Sequence, residues 1–164
     1  MYGWEGFKKS FTHTPRIKEL VETVVSEREI FNSEKCKGSP VSLIFTNIDS
    51  FASGCDLWGR STRTAMPDLL PEAKRSLKTL PQQNGDGKLE ILTYNSLMGL
   101  SAEQLTGGFG RRVSQEQGPL QIRFRPDIGD KRCYVQIDGE FFSLHKPTHA
   151  EIKHSHTVKV LMKV

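Results

Sequence analysis

The chain has 164 residues and 18.5 kDa, with 36% hydrophobic residues and a mean hydropathy of −0.46, which suits one domain core and is too polar for a membrane span. Its longest apolar stretches, Ser42 to Phe45 and Val158 to Met162, fall far short of the ~20 residues that a spanning helix needs. A net charge of +4 and a pI near 9.0 permit ATP, anionic lipid or nucleic acid as an acidic partner and select none of them.

Taken in chain order, residues 1–12 place Trp4, Phe7 and Phe11 at i, i+3 and i+7, the stripe of a short docked helix. The ring of Pro15 disfavours helix at Thr14 and ends it. Charged Glu5, Lys8 and Lys9 interrupt every apolar run there, so no signal peptide is expected. Ile17 to Phe31 reads two ways: Ile17, Leu20, Val21, Val24 and Val25 fit a helix stripe, whereas Val21, Thr23 and Val25 fit a strand. Residues 32–40 form a polar loop, and Val41 to Ile48 reads as a buried strand. Residues 49–59 form a loop with Gly54 and Gly59. Residues 60–83 carry Pro67, Pro71, Pro81 and many basic side chains, and are expected as a surface insertion.

From Asn84 the texture becomes β. Asn84-Gly-Asp-Gly87 is a turn before a strand at 88–94, and 96–104 reads as a short helix ending before Gly107-Gly108. Strands are expected at 110–116, 119–125, 132–137, 140–145, 149–155 and 157–163. Short strands at this spacing predict a mainly β lobe, an antiparallel sandwich or open barrel with one or two short helices. The three cysteines, Cys36, Cys55 and Cys133, include no CxxC pair, which argues against a disulfide framework or zinc site and favours a reducing compartment.

Several constellations could carry chemistry. Asp138-Gly139-Glu140 follows Tyr134-Val-Gln-Ile137, where a strand turns over. It is first a hairpin turn, and an Asp on such a rigid strand end can also be aimed into a cleft to take a proton from an attacking hydroxyl. Gly85-Asp86-Gly87 lacks the GxxxxGK[ST] frame of a phosphate loop and reads as a turn, with Asp86 as a candidate ligand for a hard cation. The 47–59 loop leaves a strand with polar groups and Trp58, and such loops often carry function. His154 and His156 would share one face of a strand and make half a metal site, or an exposed polar face. Residues 145–164 carry Lys146, Lys153, Lys159 and Lys163 against Glu151, which suits an edge strand that resists aggregation or a face toward anionic lipid. GxSxG and HExxH are both missing, and aromatics do not interleave with basic residues, so hydrolase and nucleic-acid readings fail.

Together these motifs resemble the accessory domain of eukaryotic diacylglycerol kinases, in order from about residue 2 to 163. Tyr2-Gly-Trp-Glu-Gly6 resembles the helix joining the family's two lobes. Asn47-x-x-Ser50-x-x-x-Gly54-x-x-x-Trp58-Gly59 is similar to its Asn-x-Pro-Ser-x-x-Gly-Gly-x-Asn-x-Trp-Gly loop, with Asp49, Ser53 and Asp56 as departures. Asp86-Gly87-x-Leu89-Glu90, Gly110-Arg111-Arg112-x-x-Gln115 and Gln136-Ile-Asp138-Gly139-Glu140 resemble three further elements, and His154 through Met162 resembles its last strand pair.

The resemblance implies a two-lobed, ATP-dependent lipid kinase that phosphorylates diacylglycerol to phosphatidic acid at a membrane surface, cytoplasmic and peripheral. It divides the chain into an inter-lobe helix at 1–14 and a β-rich accessory lobe at 15–164, and turns 17–31 toward strand. It gives Asp138 the part of general base, with Glu140 in support, and makes Asn47, Ser50, Gly54, Trp58, Arg112 and Gln115 loop or substrate candidates. Asp86 corresponds to a structural Mg²⁺ turn, although Lys88 beside it disfavours a cation. The Gly-Gly-Asp-Gly-Thr loop that holds ATP in the family's N-terminal lobe does not occur in these residues. ATP and Mg²⁺ are therefore expected on that other lobe, and these residues alone are expected to be inactive. A related ceramide, sphingoid or acylglycerol kinase lobe, and a non-catalytic lipid- or partner-binding sandwich, are the alternatives.

Overall fold

The computed structural model describes residues 15–51, 54–103 and 105–156. A one-turn helix, α1 (Ile17–Leu20), runs into strand β1 (Val21–Val25), which pairs antiparallel with β2 (Glu29–Asn32). Residues 17–31 thus divide their two readings: the first turn is helical, and the β-branched run after it is extended. β1 also pairs with β7 (Leu120–Phe124), which pairs with β10 (His149–Ile152), giving a four-stranded antiparallel sheet in the order β10-β7-β1-β2.

The second sheet runs β3 (Ser42–Thr46), β5 (Lys88–Tyr94), β6 (Arg111–Gln117) and β4 (Arg63–Thr64). Its pairs are antiparallel except β4 with β6, which is parallel. The main core brings together Val24, Phe31 and Leu120 from the first sheet with Ile91 and Val113 from the second. This is the predicted β-sandwich, with neither sheet closed into a barrel.

The outer face of the second sheet is covered as well. Leu92 and Tyr94 of β5 pack with Cys55, Leu57 and Trp58, and with Leu77, Leu80 and Leu100. Those residues come from three short helices or their flanks: α2 (Leu57–Arg60), α3 (Pro71–Thr79) and α4 (Leu97–Ala102). Coverage on both sides explains why Ile91-Leu-Thr-Tyr94 is buried without alternation. Residues 60–83, expected as a surface insertion, supply strand β4, buried Ser61, Thr64 and Ala65, and the surface helix α3 packed on the second cluster.

The third layer is a hairpin, β8 (Arg132–Ile137) and β9 (Glu140–His145), joined through Asp138 and Gly139. Its root is docked: Cys133 is buried in the main core, and Val135 and Leu144 pack against it. Its outer half projects, leaving Tyr134, Ile137, Phe141 and Phe142 exposed. The expected 1–12 helix and 157–163 strand lie outside the described residues. β10 ends at Ile152, so His154 and His156 follow the strand instead of alternating along it. All three cysteines are free and buried, and burial pushes the Cys36 thiol up to about 11.

Candidate functional site

Three of the motif segments meet on the outer face of the second sheet. Asp56 caps α2, its carboxylate accepting the Gly59 N–H at 2.6 Å. A side chain at Gly59 would collide with that same carboxylate, so the glycine is required by the cap. The cap turns Trp58 inward, where it is fully buried and donates Nε1–H to the Leu80 carbonyl at 2.8 Å. Arg112 lies beneath it, opposite Leu92 in the β5–β6 ladder. Its guanidinium carbon sits 4.2 Å from the centre of the Trp58 ring.

Arg112 is 4% exposed and uses its whole fork inside the fold. Nε and Nη2 donate to the Trp58 carbonyl at 3.2 and 2.7 Å, and Nη1 donates to the carbonyls of Leu77 and Leu80 at 2.7 and 2.9 Å. Burial works against its charge, while Asp56 and Glu90 support it. Only a planar, multi-donor cation satisfies carbonyls arriving from such separate segments. Arg112 and Trp58 therefore lock the end of α3 and the 47–59 loop onto β6. Gly110 permits that approach, because a Cβ there would strike the Ser61 hydroxyl and lie 2.8 Å from the Tyr94 hydroxyl.

The next cross-strand pair on the same face is Glu90 with Gln115. Glu90 is 1% exposed and accepts amide N–H from Gln115 at 2.7 Å and from Gln82 at 2.6 Å. Gln115 also donates to the Pro81 carbonyl at 3.0 Å. Burial raises the Glu90 carboxyl above its usual range, with the Gln115 and Gln82 donors opposing that rise. Glu90 of the Asp86–Glu90 element and Gln115 of the Gly110–Gln115 element thus pin residues 81–82, one step beyond the Arg112 clamp.

At the turn before β5, Asp86 accepts the Lys88 N–H at 2.9 Å, and the Lys88 ammonium stands 3.9 Å from its other oxygen. A carboxylate so engaged, beside a cation, does not fit a divalent metal. Among the described residues no group of three His, Cys, Asp or Glu could hold one. Asp49, where the resembling loop has proline, exchanges two hydrogen bonds with Asn84: its N–H to Oδ1 at 3.2 Å and its Oδ1 from Nδ2 at 3.1 Å. The 47–59 loop is thereby tied to the 84–87 turn. Asn47, Ser50 and Gly54 are exposed on that loop, with Gly54 at φ +93° and Phe51 and Cys55 bridged backbone to backbone beside it.

Asp138 and Glu140 stand apart from this clamp, at the tip of the β8–β9 hairpin. Asp138 has φ +48° and Gly139 φ +92°, the two left-handed central positions of a type I′ turn between the paired residues Ile137 and Glu140. Both carboxylates are exposed, and among the described residues neither side chain makes a hydrogen bond or ion pair. An acid held there is rigid in its backbone and open at its carboxylate.

Residues outside the sequence motifs complete the outer layer. Glu103 is fully buried and accepts the N–H groups of Gly108 and Phe109 at 2.8 and 2.9 Å, while Arg60 donates to its backbone carbonyl at 2.8 Å. Gln82 and Leu77 act through a side-chain amide and a carbonyl. In the sequence Glu103 falls within the expected 96–104 helix and carries no motif signal.

A family model for the diacylglycerol kinase accessory domain matches residues 1–141. The chain is 27% identical over 150 residues to "Diacylglycerol kinase eta" of Drosophila sechellia, covering 88% of this chain and 7% of that protein. It is 32% identical over 121 residues to "Probable diacylglycerol kinase 3" of Caenorhabditis elegans, covering 71% of this chain and 14% of that protein. No solved structure matches. The chain therefore spans a small part of the relatives it resembles. With Trp58, Arg112, Glu90 and Gln115 gathered on one sheet face and its sandwich fold in place, this chain belongs to the diacylglycerol kinase accessory domain family.

Proposed function

We propose that this lobe is the accessory half of an ATP-dependent lipid kinase that converts diacylglycerol to phosphatidic acid, and that Asp138 is its general base. The observation that carries the reading is the setting of Asp138: a carboxylate on a rigid I′ turn, exposed and without an intramolecular partner among the described residues, at the end of a projecting arm. The arm's exposed Ile137, Phe141 and Phe142 suit contact with a second lobe. Asp138 takes the proton from the lipid hydroxyl as that oxygen attacks the γ-phosphorus of ATP. The bond from γ-phosphorus to the bridging oxygen breaks, and ADP leaves. Glu140 flanks Asp138 across the turn, on the same exposed tip. Nucleotide and Mg²⁺ contacts belong to the other lobe in this reading, and the Trp58–Arg112 clamp fastens the 77–80 segment to the second sheet.

The test is transfer of labelled phosphate from Mg-ATP by the full-length protein to diacylglycerol, ceramide or sphingosine. The reading expects transfer to diacylglycerol and its loss in Asp138→Asn. Preference for ceramide or sphingosine would move the protein to a related kinase. Transfer to none of them would leave a binding module.

A further inference from the structure

Burial around the main core is uneven. On the flank formed by β2, β4 and β6 the core is sealed: Phe31, Ala65 and Val113 are at most 2% exposed. The Arg28–Glu116 ion pair and the bond from the Lys37 N–H to the Ala65 carbonyl, at 2.8 Å, tie the β2 side of the first sheet to that flank. The strands at the other ends of the two sheets, β10 and β3, therefore share the opposite flank. There Leu43 and Phe45 of β3, and Ala150 and Ile152 of β10, pack on the core but are only half-buried.

All five residues of β3 are half-buried, without alternation. Leu43 and Phe45 pack on the main core and Ile44 on the Trp58 cluster, so both faces are covered and the exposure comes through the free edge. Among the described residues β5 is the one ladder partner of β3. Every second residue of such a strand sends its N–H and C=O outward. The other sheet edges are guarded or short: β2 carries Glu29, β10 carries Glu151, and β4 has two residues. β3, Ser42-Leu-Ile-Phe-Thr46, carries neither charge nor proline.

We propose that residues 157–163 close this flank as a strand running antiparallel to β3 along that edge. The chain is delivered to the right end of the sheet. Ile152 and Lys153 pass against Gly118, next to Gln117, which pairs with Lys88 at the start of β5. β3 ends on the same rim, with Thr46 opposite Glu90, so a strand leaving it runs from Thr46 toward Ser42. Residues 153–156 span about 13 Å when extended, and packed sheets stand about 10 Å apart. The pattern fits too. Val158, Val160 and Met162 alternate with Lys159, Leu161 and Lys163. One face then covers Leu43 and Phe45, while the other sets Leu161 beside Ile44 and gives the new edge two guarding lysines. At the opposite end of the chain, Trp4, Phe7 and Phe11 have helical spacing, which cannot continue a sheet. This closure is independent of what Asp138 does.

The test places the photo-crosslinker benzoylphenylalanine at Val160 of the full-length protein and maps the product by mass spectrometry. The expected product joins position 160 to the 42–46 peptide within one chain. In the parent, amides of 42–46 and of 157–163 should both exchange slowly with solvent. Val160→Pro, which removes a ladder donor, should speed exchange over 42–46 by about tenfold or more and leave 111–117 unchanged. Val160→Ile should exchange like the parent. Cross-links that miss 42–46, or unprotected 157–163 amides in the folded parent, overturn the proposal. A cross-linked product of twice the mass makes this edge a contact between copies and overturns it as well. If Val160→Pro fails to fold, the cross-link and the parent's exchange still decide.

Discussion

Replacing Arg112 by Met tests whether the clamp holds the outer layer. Methionine keeps the unbranched stem and roughly the reach, and removes the fork. Trp58 O keeps a bond from the Ser61 N–H, and Leu80 O keeps one from the Trp58 indole, so those carbonyls stay satisfied. Leu77 O, in the last turn of α3, has the Arg112 Nη1 donor and no intrahelical partner at that end. Orphaning it costs about 1–3 kcal/mol. Losing the ring contact at 4.2 Å costs a further ~0.5–2 kcal/mol. Relief from holding a buried cation offsets part of this. The expected net loss is about 3 kcal/mol, which for a chain of this size lowers Tm by roughly 6–12 °C. Arg112→Lys keeps the charge, serves one carbonyl at a time and should recover less than half of the loss. Thermal unfolding followed by tryptophan fluorescence reads both variants. If Arg112→Met melts within about 2 °C of the parent, the guanidinium is not what fastens 77–80 to the sheet.

Three further outcomes follow from other parts of the fold. Asp138→Asn in the full-length protein should lower kcat by about 10²–10⁴-fold with little change in Tm, since Asn also tolerates the left-handed turn; retention of more than a third of kcat would leave Asp138 as a turn residue only. For Glu90, burial raises the carboxyl, so the stability it lends is full below the ordinary carboxylate range near 4.5 and is lost as pH rises through the raised value. The Tm of Glu90→Gln relative to the parent should therefore climb as pH rises from 4 toward 7, and a flat or falling difference would contradict the desolvation argument. Gly110→Ala should lose about 1–3 kcal/mol by urea unfolding through its collision with the Ser61 and Tyr94 hydroxyls, and an unchanged midpoint would mean that those groups move aside freely.

Much of the lobe was legible because its signals are local. The β texture after Asn84, the turn at 84–87 and the Asp138-Gly139 hairpin each depend on residues within a few positions of one another, and the structure places β5 to β9 at or near the expected spans. The 17–31 segment was ambiguous for a physical reason: Ile17 and Leu20 share a helical face, the valines that follow prefer extended backbone, and only pairing with β7 and β2 sets the change at Val21. His154 and His156 were misplaced because strand β10 stops with its partner β7, at Ile152 opposite Leu120.

What the chain could not reveal by itself is the use to which its motif residues are put. Trp58 meets Leu80 across 22 positions, and Arg112 meets Leu77 across 35 and Trp58 across 54. No periodicity encodes such pairs, so a buried guanidinium serving three carbonyls looks in sequence like any arginine in a basic stretch. Residues 60–83 read as surface because their prolines and charges are visible, whereas their attachment to the sheet depends on carbonyls, which every residue has alike. Composition and turn chemistry thus determined a β-rich lobe with an acid at a hairpin tip. Tertiary structure alone decided that Trp58, Arg112, Glu90 and Gln115 hold the fold together while Asp138 is left exposed, because burial and long-range hydrogen bonding arise only once distant segments meet.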